Sequence, residues 1–149
     1  MVDPRAKGAR AETLIRDQLR ELTKLQWERV PSSGALDPKH GLKGDLYIPN
    51  EKNLYVVEVK HYEEDHITSK VLTGKSPQFF EWWEQATRQG KQVDKIPLLI
   101  FKFNRSKTFV AFTDMPTKNY RWLLISALEH EVYVSLLEEW HNAEKPKFI

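Results

Sequence analysis

The chain has 149 residues, a formal net charge of +2, 40% hydrophobic and 11% aromatic residues, and no cysteine. That length fits one domain with a real core. Disulfides, thiol catalysis and Cys-based zinc sites are excluded. No apolar run approaches the ~20 residues of a membrane span, and the N-terminal MVDPRAKGAR lacks the apolar segment of a secretory leader, so a cytoplasmic protein is expected. Charge is dense but nearly balanced: residues 1–43 carry nine basic and six acidic side chains, and the remainder is close to neutral.

In chain order, residues 1–8 read as a basic, flexible arm. Residues 9–25 read as a helix, because Ala11, Leu14, Ile15, Leu19, Leu22 and Leu25 recur at 3.6-type spacing. WERVP (27–31) suits a short strand. The Gly- and Pro-containing segment 32–44 reads as a loop. DLYIP (45–49) and LYVVEVK (54–60) suit two strands of a hairpin, the second rich in β-branched and aromatic residues. Residues 61–75 are polar and irregular.

Ser76-Pro77 predicts a helix start, with Ser76 as N-cap and Gly90 as the terminating glycine. Phe79, Phe80, Trp82 and Trp83 wrap more than half of that helix, so part of the set is expected in the core and part at a subunit interface. IPLLIFKF (96–103) and KTFVAFTD (107–114) predict strands around the turn Asn104-Arg105-Ser106. Helical character is expected near 118–129, a strand near 131–135 and a last helix near 136–143. The order implies one α/β domain with a mixed central sheet flanked by helices.

The residues that bear chemistry are Asp45, Glu58 and Lys60. Alternation along a strand puts Val56, Glu58 and Lys60 on one face and Val57 and Val59 on the other. A hairpin brings Asp45 beside Glu58. Two close carboxylates repel unless a cation sits between them. Mg²⁺ suits such oxygen donors and keeps waters and substrate phosphates in its shell. It can activate a water and stabilise a departing oxygen, while a lysine adds charge against the developing phosphorane.

Gly44-Asp45 followed by Glu58-Val59-Lys60 resembles the signature of the PD-(D/E)xK nuclease superfamily, with Gly44 where proline usually precedes the acid. Arg5, Lys7, Gly8, Arg10 and Glu12, then Ser32-Ser33-Gly34, narrow the likeness to archaeal-type Holliday junction resolvases and their phage relatives. It covers residues 5–60 well and 76–103 loosely.

The resemblance implies a restriction-endonuclease-like core. It implies Mg²⁺, with Mn²⁺ able to substitute, bound by Glu12, Asp45, Glu58 and the Val59 carbonyl. Lys60 would be the catalytic lysine, and Ser33 the loop serine at the scissile phosphate. Ser32, Arg29, Arg5, Lys7 and Arg10 would contact the DNA backbone. Helix geometry independently sets Glu12 at the edge of the apolar stripe, at the rim of the helix–sheet contact.

Gln85 would approach the site, as a helix glutamine does in several superfamily branches. Lys102 lies either on a solvated face or near the site. His40, His61 and His66 lack zinc-ligand spacing. No phosphate-binding glycine loop appears, so no nucleotide cofactor is expected.

The implied activity is Mg²⁺-dependent resolution of four-way DNA junctions by a homodimer, leaving 3′-hydroxyl and 5′-phosphate ends. The alternatives are another nuclease of the superfamily, restriction-like or repair, and a non-catalytic DNA-binding module.

Overall fold

The computed structural model describes residues 4–31, 43–63, 69–73 and 77–149, without the side chains of residues 4–7, 70 and 71. The elements are α1 (Pro4–Thr23), β1 (Glu28–Arg29), β2 (Leu46–Tyr47), β3 (Tyr55–Tyr62), α2 (Lys70–Thr73), α3 (Gln78–Val93), β4 (Ile96–Phe103), β5 (Phe109–Phe112), β6 (Trp122–Ala127), β7 (His130–Leu136) and α4 (Leu137–Glu144). The strands form one seven-stranded sheet in the order β1-β2-β3-β4-β5-β7-β6. Among the described residues, only β3 and β4 are parallel; every other pairing is antiparallel. The expected mixed α/β architecture is therefore present.

The sheet is apolar on both faces because its central strands are covered on both sides. In β4, Leu98 and Ile100 pack with Ala11, Ile15 and Leu19 of α1, with α4 residues Leu137 and Trp140, and with Phe148. Leu99, Phe101 and Phe103 point the other way, into a cluster with Phe79, Phe80, Trp82, Trp83 and Ala86 of α3. The α3 helix thus crosses over between the two parallel strands, as such a connection must. The C-terminal residues close the first layer: the Leu54 N–H donates to the Phe148 carbonyl at 2.9 Å, and the Phe148 ring meets Trp27 edge-on with centroids 5.1 Å apart.

Several expectations change. Residues 4–8 belong to α1 and are not a flexible arm. Leu14 falls outside the buried stripe and is 50% exposed. All four α3 aromatics are buried within this one chain, so none is left for a subunit interface. Pro77 holds the N-cap position of α3, while Ser76 lies outside the described residues.

Gly90 does not end α3. The helix runs three residues further to a left-handed Asp94, and Gly90 is required for packing, since a Cβ there would stand 2.7 Å from the Lys95 carbonyl oxygen.

The largest change is at 122–127, a strand where helix was expected. It pairs with β7 through a turn whose two central residues, Leu128 and Glu129, both have positive φ. Such turns usually carry Asn or Gly, and neither is present to signal the hairpin.

Candidate active site

The hairpin register assembles the site. β2 pairs with β3 only at Leu46↔Val57. Beyond that pair the edge of β3 is open, and Asp45 turns onto it. The Asp45 N–H donates to the Val57 carbonyl at 2.7 Å, and the Val59 N–H donates to Asp45 Oδ2 at 2.7 Å. Asp45 is therefore pinned by both its backbone and its carboxylate. Val57 and Val59 present N–H and C=O to the same edge, so the Val59 carbonyl emerges beside the Asp45 side chain.

Gly44 makes this approach possible. Its φ is +83°, and a Cβ there would lie 2.6 Å from the Val57 carbonyl oxygen. Proline, with φ fixed near −65°, cannot take that conformation. The glycine is a requirement of this hairpin.

Glu58 is only 2% exposed. Burial and the neighbouring Asp45 carboxylate, which lies within side-chain hydrogen-bonding reach, push its pKa up to about 9 against the partial opposition of Lys60. Glu12 reaches the same place from α1. Its pKa is also raised, first by burial and then by Asp45, while Arg29 pulls it down. The Arg29 Nε donates to Glu12 Oε2 at 2.9 Å from the short strand β1.

These groups line one cleft of about 350 Å³ with Gly8, Ala11, Lys60, His61, Tyr62 and Gln85. Small residues on α1 leave it open: Gly8, one turn before Glu12, has open space around the position of an added Cβ. Gln85 enters from α3, on the side that Glu58 and Lys60 face. The Tyr62 ring stacks on Trp82 with centroids 4.8 Å apart, and His61 Nε2 lies 3.1 Å from Asn104 Oδ1.

Of the site residues expected from sequence, the fold brings Glu12, Asp45, Glu58, Val59 and Lys60 together, and joins Arg29 to them through Glu12. Arg10 is exposed on α1. The side chains of Arg5 and Lys7, and residues Ser32, Ser33, His40 and His66, lie outside the described residues. Lys102 belongs to a different cleft, beside Lys107 and Arg121, and its Nζ donates to the Phe103 carbonyl.

Sequence reading missed Tyr62 and the Glu12–Arg29 ion pair. The alternation that placed Lys60 also puts Tyr62 on the cleft face one step on, but the pair joins residues 17 apart on elements whose packing no local pattern reveals.

The expected acids are gathered but not closed into a cage. Among the described residues, no three His, Asp or Glu side chains form a ready-made metal-binding group. Glu12 is held by Arg29, which leaves Asp45, Glu58 and the Val59 carbonyl as the compact oxygen set. All three are hard donors, and the charge conflict between the two acids is what a divalent cation relieves.

Residues 3–149 match the model of a family described as "Phage putative PDDEXK endonuclease". Protein D14 of Escherichia phage T5 is similar, with 39% identity over 151 residues covering 95% of this chain and 94% of D14. Among solved structures, that of Hjc, a Holliday junction resolvase from the archaeal hyperthermophile Archaeoglobus fulgidus, is similar over 92% of this chain and 89% of its own, with 14% identity and a TM-score of 0.44.

Proposed function

The chain belongs to the phage PDDEXK endonuclease family, and on that premise we propose that it is a Mg²⁺-dependent, structure-selective endodeoxyribonuclease that resolves four-way DNA junctions. The observation that carries the reading is the buried Glu58 set against Asp45 at an open sheet edge, with Lys60 on the same strand face. A fold gains no stability from two buried acids in mutual conflict, and perturbed carboxylates in a cleft mark chemistry.

Asp45, Glu58 and the Val59 carbonyl are the residues that would hold the ion, with Glu12 reaching it through water. Bound there, a divalent cation would activate a water and stabilise the leaving oxygen. Asp45 enters in a fixed orientation because the Val59 amide holds one of its oxygens. Lys60 supplies positive charge to the phosphoryl oxygens as negative charge grows on them. The Gln85 amide, both donor and acceptor, orients the attacking water from the α3 side.

Arg29, tethered to Glu12, keeps donors available for a phosphate at the cleft mouth. Arg5, Lys7 and Arg10 follow the backbone of an adjoining duplex arm. Ser33 is assigned to the scissile phosphate and Ser32 to the backbone beside it. Mn²⁺ should substitute for Mg²⁺ at an all-oxygen site. Cutting two opposed strands of a junction calls for two such clefts, so the working form is a homodimer. Among the described residues, no helix is long and apolar enough to cross a membrane.

The test is cleavage of junction, flap, nicked and linear DNA side by side, with and without Mg²⁺, for wild type and Asp45→Asn. Metal-dependent cutting of the junction by wild type alone is expected. If linear duplex competes equally with the junction, the enzyme is another nuclease of the superfamily. Salt-sensitive binding without cutting in any condition makes it a binding module.

A further inference from the structure

The far end of the sheet from the cleft poses a different problem. β6 is the last strand in the order, and among the described residues nothing pairs with its outer edge. Soluble proteins protect such an edge with charges, proline, a bulge or a covering element. β6 has the sequence WLLISA, with no charge and no proline. Leu123 is 59% exposed, Leu128 53%, Leu124 43% and Trp122 38%. An open groove of about 510 Å³ runs beside the strand, lined by Phe109, Trp122, Leu123 and Val134 among others. Apolar surface of this kind next to unpaired backbone groups marks an interaction site.

We propose that β6 is where two copies of this chain meet, each β6 pairing antiparallel with the other about a two-fold axis at Ile125. Charge selects this partner and this direction. Arg121 stands just before the strand and Glu129 just after it. Antiparallel self-pairing centred on Ile125 sets Arg121 opposite the partner's Glu129, and the symmetry makes that contact twice. A parallel arrangement would set like charges against each other.

Trp122 then lies opposite the partner's Leu128, and Leu123 opposite the partner's Ala127. The exposed apolar side chains cover one another, and the surface is self-complementary as a two-fold interface requires. The two sheets become one continuous sheet of both chains. The clefts at β3 then stand nine strand spacings apart, about 43 Å before twist is counted. This assignment rests on the dimeric reading above and names its surface.

The experiment is sedimentation equilibrium of the full chain over a concentration series, for wild type and Leu124→Lys, with thermal melts of both. The substituted side chain is exposed in the single chain, so the melting of dilute protein should be unchanged while dimerisation weakens at least about tenfold. Because the chain has no cysteine, Ile125→Cys provides a second measurement. Residues directly opposite across an antiparallel pair lie within disulfide reach, so mild oxidation should give a covalent dimer. Leu72→Cys, on α2, should not.

A wild type that stays monomeric at every concentration overturns both the dimer and this surface, while junction cleavage is judged separately. A dimer that tolerates Leu124→Lys and does not cross-link through position 125 overturns the surface alone.

Discussion

Glu58→Gln should make the metal-free protein more stable, by an amount that depends on pH. Glutamine keeps the size of glutamate and can still donate to Asp45, but carries no charge. The Glu58 pKa is about 9 in the fold against an ordinary value of 4.5. A group raised in this way is protonated in both states below pH 4.5, so the stabilisation from its bound proton is fully present there. As pH climbs from 4.5 toward 9, the unfolded chain ionises first and that contribution is progressively lost. At pH 7 the wild-type fold is disfavoured by about 3 kcal/mol relative to its state near pH 4.5, on the Glu58 pKa of about 9. The substituted glutamine avoids this cost altogether.

For a chain of this size, 1 kcal/mol moves Tm by roughly 2–4 °C, so the variant should melt roughly 5–10 °C higher at pH 7–8 in chelator. The two proteins should converge near pH 4.5. Differential scanning calorimetry across pH 4.5–9 in EDTA measures the difference. Mg²⁺ added at pH 7.5 should then raise the Tm of wild type and leave the variant nearly unchanged, because the ion takes over the role of the proton. A Tm offset that is flat across pH, or a variant less stable than wild type at pH 8, would refute the reasoning.

Asp45→Asn should lower cleavage by at least about 100-fold while DNA binding is kept, which gel-shift and cleavage assays on one substrate measure together. Gly44→Ala should cost about 1–3 kcal/mol in denaturant titration, because φ of +83° is strained for alanine and the added Cβ meets the Val57 carbonyl at 2.6 Å. Gly44→Pro should be at least as damaging, although it restores the residue more usual in the superfamily. Arg29→Gln removes the group that draws the Glu12 pKa down and leaves burial and Asp45 to push it up; the acid limb of the pH–rate profile at limiting metal should move to higher pH by about one unit.

The parts of this fold that were readable from sequence are those where local pattern and tertiary demand agree. β4 matches its predicted limits because IPLLIFKF is an unbroken apolar run, as a strand covered on both faces must be. The Asp45/Glu58/Lys60 group was readable because alternation along β3 and a short hairpin fix its geometry with little help from the rest of the chain. Reading failed where a distant contact decided the outcome. Gly90 looks like a helix terminator in isolation, and only the return of Lys95 against it shows why a side chain is excluded. Residues 122–127 are apolar enough for either helix or strand, and pairing with β7 decides between them. Glu12 was placed correctly at the rim of α1, but Arg29 as its partner came from the packing of β1 and not from any spacing.

Glu12 and Glu58 differ in a way that sorts their roles. Glu58 sits on a central strand, shut off from solvent, with a lysine on its own strand face to offset it only partly. Glu12 sits on a helix at the cleft rim and already has a cation of its own at 2.9 Å. The unrelieved charge conflict is thus concentrated between Asp45 and Glu58, at the one point where the sheet edge also offers a backbone carbonyl. An ion entering the cleft gains most by settling there, and Glu12 can join its outer shell without giving up Arg29. Arg29 in turn connects that shell to whatever phosphate lies at the cleft mouth. Loss of Glu12 should therefore weaken catalysis less than loss of Glu58, and loss of Arg29 should be felt through both metal and DNA.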